Sequence, residues 1–324
     1  MTGNILEVDG LVQYFDQPKP FLERLLTRSR GARVHAVNGV TFDVREGEVF
    51  SLVGESGCGK STTARTVVRL LTPKGGRIVF EGRDIADLDQ KQLLPVRPRV
   101  QMIFQNPYAS LDPRQRVGDM IMEPLLFHGL VANRKEARER MLALLDTIGL
   151  HSEQADRYPH QFSGGQRQRL GIARALATSP RLVVADEPVS ALDVSVQAQI
   201  LNLMMSLRER LGLTCLFIAH DLSVVRHISD RVAIMYLGFI VEQGERDEIF
   251  DHPLHPYTEA LLAAAPSLDK RFVHVPLSGD VPSPMNLPEG CAFASRCPRR
   301  ASRCLEERPQ IRESGGRRVA CHLV

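Results

Sequence analysis

The chain's 324 residues, 43% hydrophobic and 24% charged, suit one large domain plus an appendage, and a net charge of +3 is too small to argue for a nucleic-acid partner. No apolar run approaches the roughly 20 residues of a membrane span, and MTGNILEVDG lacks the charged-then-apolar pattern of an export signal. The expectation is a soluble, cytoplasmic chain, any membrane role coming through a partner.

Residues 5–15 and 34–44 alternate as two early strands. Between them a basic insertion, 18–33, places Phe21, Leu22, Leu25 and Leu26 at the spacing of one face of a short helix. From Glu48 the pattern turns to buried strand, glycine loop and helix: EVFSLV, GESGCGKS, TTARTVVRLL. A short apolar run at 100–104 ends in Gln105, and a mostly helical block follows to about residue 162. Within it Asn133 reads as an N-cap, with Glu136 three residues on as in a capping box. Ala137, Met141, Leu144, Leu145 and Ile148 give that helix a core-facing stripe, and Gly149 closes it. A helix opening at Ser163, a strand at 181–185, a helix to Leu211, a strand at 213–219 and short strands at 232–237 and 240–242 complete the alternation. The pattern implies an α/β fold with a largely parallel, covered sheet. Past residue 250 the chain becomes rich in proline, histidine and cysteine (HPLHP, PSPMNLP, CPRR), which sets a boundary near Asp251.

Three motifs carry chemistry. Gly54, Glu55, Ser56, Gly57, Cys58, Gly59, Lys60 and Ser61 fit G-x-x-x-x-G-K-S between strand and helix. Such a loop wraps phosphates with backbone N–H groups, while Lys60 reaches the β- and γ-phosphates and the Ser61 hydroxyl ligates Mg²⁺. Cys58 within it reads as a small filler rather than a nucleophile. Residues 182–187, LVVADE, read as a buried strand delivering Asp186 to the hydrated Mg²⁺ and Glu187 to the attacking water as general base. Ser163, Gly164, Gly165 and Gln166 open a helix, and two glycines behind an N-cap let an anion approach bare N–H groups at a positive helix end. Two phosphate-gripping elements for one nucleotide point to a grip shared between subunits.

Together these motifs resemble the ATP-binding cassette (ABC) ATPases over about residues 5–244. The resemblance implies a P-loop ABC nucleotide-binding domain with a mixed, largely parallel sheet, a helical subdomain and a small Cys-rich C-terminal extension. Its domains would be 1–250, with the helical subdomain at about 107–165, and 251–324. It makes Gln105 the Q-loop glutamine, a γ-phosphate sensor and Mg²⁺ neighbour that faces the membrane subunits. It makes residues 190–193, SALD, the D-loop and His220 the switch histidine at the γ-phosphate. Thr62 joins the phosphate loop, and Phe15 stands where the family puts an aromatic under adenine, with Tyr14 as the alternative. By the same resemblance, ATP bound by one cassette is capped by residues 163–166 of another.

GESGCGKST, FQNPYASLDPRQRV, AHDLSVVRHISDRVAIMYLG, HPLHPYTEALLAAAP and the final CAFASRCP…C…ACHL resemble one subfamily, the F-type ATPase subunits of dipeptide/oligopeptide importers. Such a subunit pairs with a second, D-type ATPase, and the two power two transmembrane permease subunits fed by an extracytoplasmic solute-binding protein. The chain would then sit peripherally on the cytoplasmic face of the membrane, with no nucleic-acid partner. Nickel and other small-solute importers share this architecture, so the cargo stays open. DNA-repair or translation ABC ATPases carry coiled-coil insertions or paired cassettes, and exporter cassettes are usually fused to membrane spans; this chain shows none of these.

Cys291, Cys297, Cys304 and Cys321 follow C-x5-C-x6-C-x16-C, with His322 beside the last. Four thiolates suit Zn²⁺ or an iron–sulfur cluster, and the absence of a C-x2-C pair weakens a zinc ribbon. Eight arginines against three glutamates from Cys291 onward would balance a four-thiolate charge. The resemblance points to a 4Fe–4S cluster; Zn²⁺ and unligated structural thiols are the alternatives.

Overall fold

A computed structural model of the chain describes residues 3–17, 32–106, 111–264 and 279–324. The expected helix face at Phe21, Leu22, Leu25 and Leu26 lies outside the described residues. In chain order the strands are β1 (Asn4–Asp16), β2 (Arg33–Arg45), β3 (Val49–Val53), β4 (Gly75–Phe80), β5 (Arg83–Asp84), β6 (Val100–Ile103), β7 (Leu182–Asp186), β8 (Thr214–Ala219), β9 (Arg231–Tyr236), β10 (Phe239–Glu245), β11 (Arg312–Ser314) and β12 (Arg317–Val319). Helices longer than one turn are α1 (Lys60–Val67), α2 (Val117–Phe127), α3 (Arg134–Thr147), α4 (Gly164–Leu176), α5 (Val194–Leu211), α6 (Leu222–Ile228), α7 (Arg246–Asp251) and α8 (Pro256–Ala264). Two compact units result: Met1–Gly3, Arg45–Val49 and Leu88–Ile218 make the first; Asn4–Val44, Phe50–Asp87 and Ala219–Val324 make the second.

In the first unit β7 lies parallel between β6 and β8, with Val100 opposite Leu182 and Asp186 opposite Ile218. Every residue of β7 and β8 is buried, as continuous apolar runs in a covered parallel sheet should be. Helices α2, α3 and α4 close a second core from Val117, Ile121, Leu125, Ala137, Met141, Leu145, Ile148, Leu170 and Ala173. Of the α3 stripe expected from spacing, Ala137, Met141, Leu145 and Ile148 are buried and Leu144 packs partly buried against them. Each large buried side chain contributes about 2 kcal/mol by leaving water. Asn133 caps α3 by accepting the Glu136 N–H at 3.0 Å. The Glu136 carboxylate instead accepts from the Ala132 N–H at 2.8 Å, one residue earlier than a capping box requires. Gly149, at φ 72°, ends the helix in the left-handed region.

The second unit holds two sheets. In one, the order is β2-β1-β4-β5, with Leu6 opposite Phe80 in the antiparallel β1–β4 pair. In the other, β3 pairs parallel with β9, Val53 opposite Ile234, and β9 continues antiparallel through β10 and β12 to β11. The pairing of Glu242 with Val319 means that the last residues of the chain add strands to this sheet. Strands β4, β5, β11 and β12 are absent from the sequence reading. All but two positions of β4 are at least partly exposed, and the other three strands span only two or three residues.

Candidate nucleotide site

The phosphate loop belongs to the second unit. It leaves β3 and enters α1 through Gly59, whose φ of 108° only glycine adopts easily. A Cβ there would stand 2.1 Å from the Ala36 carbonyl oxygen, and one on Gly54 would stand 2.1 Å from that of Met235. The glycines are therefore fixed by backbone on two sides as well as by any ligand. Lys60 is 3% exposed, and its ammonium donates to the Gly54 carbonyl at 2.8 Å and the Glu55 carbonyl at 3.0 Å. Its cation is thus held across the loop, at the N-terminus of α1, where an anion is favoured twice over. Thr63 anchors the first turn through the Gly59 carbonyl at 3.0 Å. Burial pushes the Cys58 thiol up, which keeps it protonated and agrees with its reading as filler.

Two groups of this loop are already engaged. The Glu55 N–H donates to the Tyr257 hydroxyl at 3.0 Å. The Glu55 carboxylate accepts both arms of the Arg296 guanidinium, at 2.7 and 3.1 Å. No local signal in the sequence marks either partner: Arg296 lies 241 residues on, inside the cysteine motif, and reads there only as positive charge. Hydrogen bonding to Glu55 raises the Arg296 pKa further above its ordinary value.

The acidic strand end belongs to the first unit. Asp186 is fully buried at the close of β7. Glu187 follows at φ 46°, an uncommon conformation for a residue with a Cβ, fixed by its N–H to the Ile218 carbonyl at 3.0 Å. Gln105 donates from Nε2 to the Glu187 carboxylate at 2.9 Å and lies 3.4 Å from the Ser190 hydroxyl. The structure therefore brings Gln105, Glu187 and Ser190 together. Asp193 caps α5 by accepting the Val196 N–H at 2.9 Å, and this bond holds its pKa below the usual carboxylate range.

In the same unit Ser163 caps α4 as the sequence predicts, and here the capping box is complete. Its hydroxyl accepts the Gln166 N–H at 3.3 Å, and Gln166 accepts the Ser163 N–H at 3.0 Å. Ser163 and Gly164 are exposed. A Cβ on Gly165 would meet a Val196 methyl of α5 at 2.4 Å, so the two helices pack closely there and Val196 would have to shift. The buried Arg167 fastens the preceding turn through the Pro159 and His160 carbonyls at 2.8 and 3.2 Å.

Phe15, the penultimate residue of β1, is 40% exposed. Tyr14 is covered by the Arg33 guanidinium, 3.8 Å from its ring centroid, which leaves Phe15 the more available aromatic. His220 is exposed, one residue past β8. Ser56, Gly57, Ser61 and Thr62 complete the loop and first turn of α1. The four tail cysteines are unpaired with one another, and burial pushes the Cys291 and Cys297 thiols up, the other cysteines of the set adding to it. Among the described residues no group of three or more His, Cys, Asp or Glu side chains is disposed to hold a metal ion, so the cluster expected from the cysteine spacing finds no support here.

Comparison with known proteins agrees with these motifs. The family described as ABC transporter matches residues 37–190, and that described as oligopeptide/dipeptide transporter, C-terminal region, matches residues 241–304. The oligopeptide transport ATP-binding protein AppF of Bacillus subtilis is 50% identical over 98% of this chain and 97% of its own length. The dipeptide transport ATP-binding protein DppF of Escherichia coli is 50% identical over 90% of this chain and 87% of its own. Among solved structures, the dimeric ATP-binding cassette MJ0796 in a post-hydrolysis state with ADP and Pi superposes with a TM-score of 0.65 at 28% identity, covering 74% of this chain and 98% of that one.

Proposed function

The chain belongs to the ABC transporter ATP-binding proteins of the oligopeptide/dipeptide type, and on that premise we propose that it hydrolyses ATP to drive import of peptides or similar small solutes through membrane permease subunits. The observation that carries the reading is the buried Lys60 ammonium, held over the carbonyls of a glycine loop at the start of α1. In this reading residues 54–62 grip the phosphates and Phe15 stacks on adenine. Glu187 takes the proton of the attacking water, Gln105 orients that water with it, and His220 contacts the γ-phosphate. The hydroxyl of Ser61, the amide of Gln105 and the carboxylate of Asp186 are hard oxygen donors that suit Mg²⁺, which neutralises phosphate charge when bound. Donors preset around the γ-phosphate supply the transition-state stabilisation.

The ATP is capped by residues 163–166 of a second cassette, a D-type partner. The start of α4 supports that role: Ser163 and Gly164 are exposed, while the capping box takes up the Ser163 and Gln166 N–H groups. A solute-binding protein outside the cell would supply the cargo, and the chain would act from the cytoplasmic face; among the described residues no helix is long and apolar enough to cross a membrane. We divide the chain into the ATPase, 1–250 with a helical subdomain at about 107–165, and an extension, 251–324. A separate proposal attaches to the four cysteines: they take an iron–sulfur cluster, or Zn²⁺. Iron, zinc and sulfide analysis of anaerobically purified protein decides it, and a metal-free protein would leave four structural thiols.

Glu187→Gln tests the ATPase reading. The assembled transporter should still bind ATP but turn over at least ~100-fold more slowly. Near-normal turnover would remove Glu187 from the base role.

A further inference from the structure

The phosphate loop contains one acidic side chain, Glu55, which is an odd neighbour for an anionic triphosphate. Its carboxylate is neutralised by a bidentate pair with Arg296, whose side chain is 4% exposed against 25% for Glu55. A fork-to-fork guanidinium–carboxylate pair is fixed in direction as well as in charge. The arginine is itself immobilised. Its N–H donates to the Phe293 carbonyl at 3.0 Å, and its guanidinium donates toward the Tyr236 hydroxyl at 3.4 Å. Phe293 wedges between Tyr236 and Tyr257, with ring centroids 5.4 and 5.3 Å away, and Tyr257 accepts the Glu55 backbone N–H. The C-terminal segment therefore grips Glu55 by side chain and backbone at once. All of these contacts lie within the second unit.

We infer that Arg296 is a positioning residue of the nucleotide site: it turns the Glu55 carboxylate toward the C-terminal segment and cancels its charge, so that the loop presents a net positive face to phosphate. This rests on the reading of residues 54–61 as the phosphate loop. Removing the guanidinium leaves the Glu55 carboxylate beside the incoming phosphates without its bidentate partner. The consequence is a loss of ATP affinity that a second change, at Glu55, repairs.

The test measures ATP affinity by titrating a fluorescent ATP analogue into the full-length chain, with Lys60→Ala in parallel. Arg296→Met should weaken binding about 10-fold or more. Arg296→Met combined with Glu55→Gln should recover to within about threefold of the parent, because neutralising the orphaned carboxylate removes the repulsion. A pair acting only as a structural clip would leave the double variant as weak as Arg296→Met. That result, or wild-type affinity in Arg296→Met alone, overturns the inference. If Arg296→Met fails to fold, Arg296→Lys replaces it: retained charge without the fork should bind ATP normally at low salt and lose affinity more steeply than the parent as salt rises. A salt response identical to the parent's overturns the inference in that arm. If the parent itself binds no ATP, or Lys60→Ala binds as well as the parent, the phosphate-loop reading fails and the inference falls with it.

Discussion

The phosphate loop and the start of α4 are both glycine-rich helix entrances suited to phosphate, yet they are held in opposite ways. The loop at 54–61 is braced by distant residues: the Ala36 and Met235 carbonyls against its glycines, Tyr257 and Arg296 on Glu55. The start of α4 is held by its own neighbourhood, through the Ser163–Gln166 capping box and Arg167 reaching back to residues 159 and 160. The difference fits two tasks. A loop that wraps a ligand must keep one shape whether or not the ligand is present, and local contacts are too few to fix it. A helix end that meets a second molecule needs only a satisfied cap and an open face.

Substitutions should therefore spread from the first region and stay local in the second. Gly59→Ala has the largest expected effect. The new Cβ meets backbone at 2.1 Å in a left-handed conformation, so the unit should lose at least about 3 kcal/mol and ATP binding with it. Urea unfolding measures the first and analogue titration the second; a stable variant that binds ATP would show the brace to be pliable.

Acid should come next. His255 is neutral in the fold, its Nδ1 accepting the Tyr257 N–H at 3.0 Å, and burial pushes its pKa from 6.5 down to about 3. Below pH 6.5 the unfolded chain takes up a proton that the folded chain refuses, so stability falls with pH until about pH 3. The slope is about 1.4 kcal/mol per pH unit. Unfolding curves at pH 7, 6 and 5 should show it in the parent and not in His255→Gln; an equal slope in both would acquit this histidine. Ser163→Ala is the smallest change. It should cost about 1 kcal/mol, with faster amide exchange confined to the first turn of α4. Exchange reaching β7 would erase the contrast between the two entrances.

What was legible in the sequence follows from the range of the interactions involved. The Ser163 and Asn133 caps, the stripe Ala137, Met141, Leu145 and Ile148, the wholly buried β7 and the loop into α1 are set by residues within a few positions of one another. The left-handed Glu187 conformation and its contact with Gln105 were not foreseen, because they depend on backbone fixed by β8. The brace on Glu55 was invisible for the same reason at greater distance. The cysteines are a third case: their spacing suggests a ligand set, and spacing alone does not fix the direction or separation of four thiols.

The 241 residues between Glu55 and Arg296 also have a meaning in time. A ribosome adding about 5–20 residues per second needs roughly 10–50 s to cross that interval. Throughout it the nascent chain carries a complete phosphate loop whose acidic residue has no arginine to face. A chain whose synthesis stops before residue 296 keeps every motif of the loop and lacks the residue that finishes it. By that inference the late arrival of Arg296 sets when the loop at 54–61 becomes ready for nucleotide.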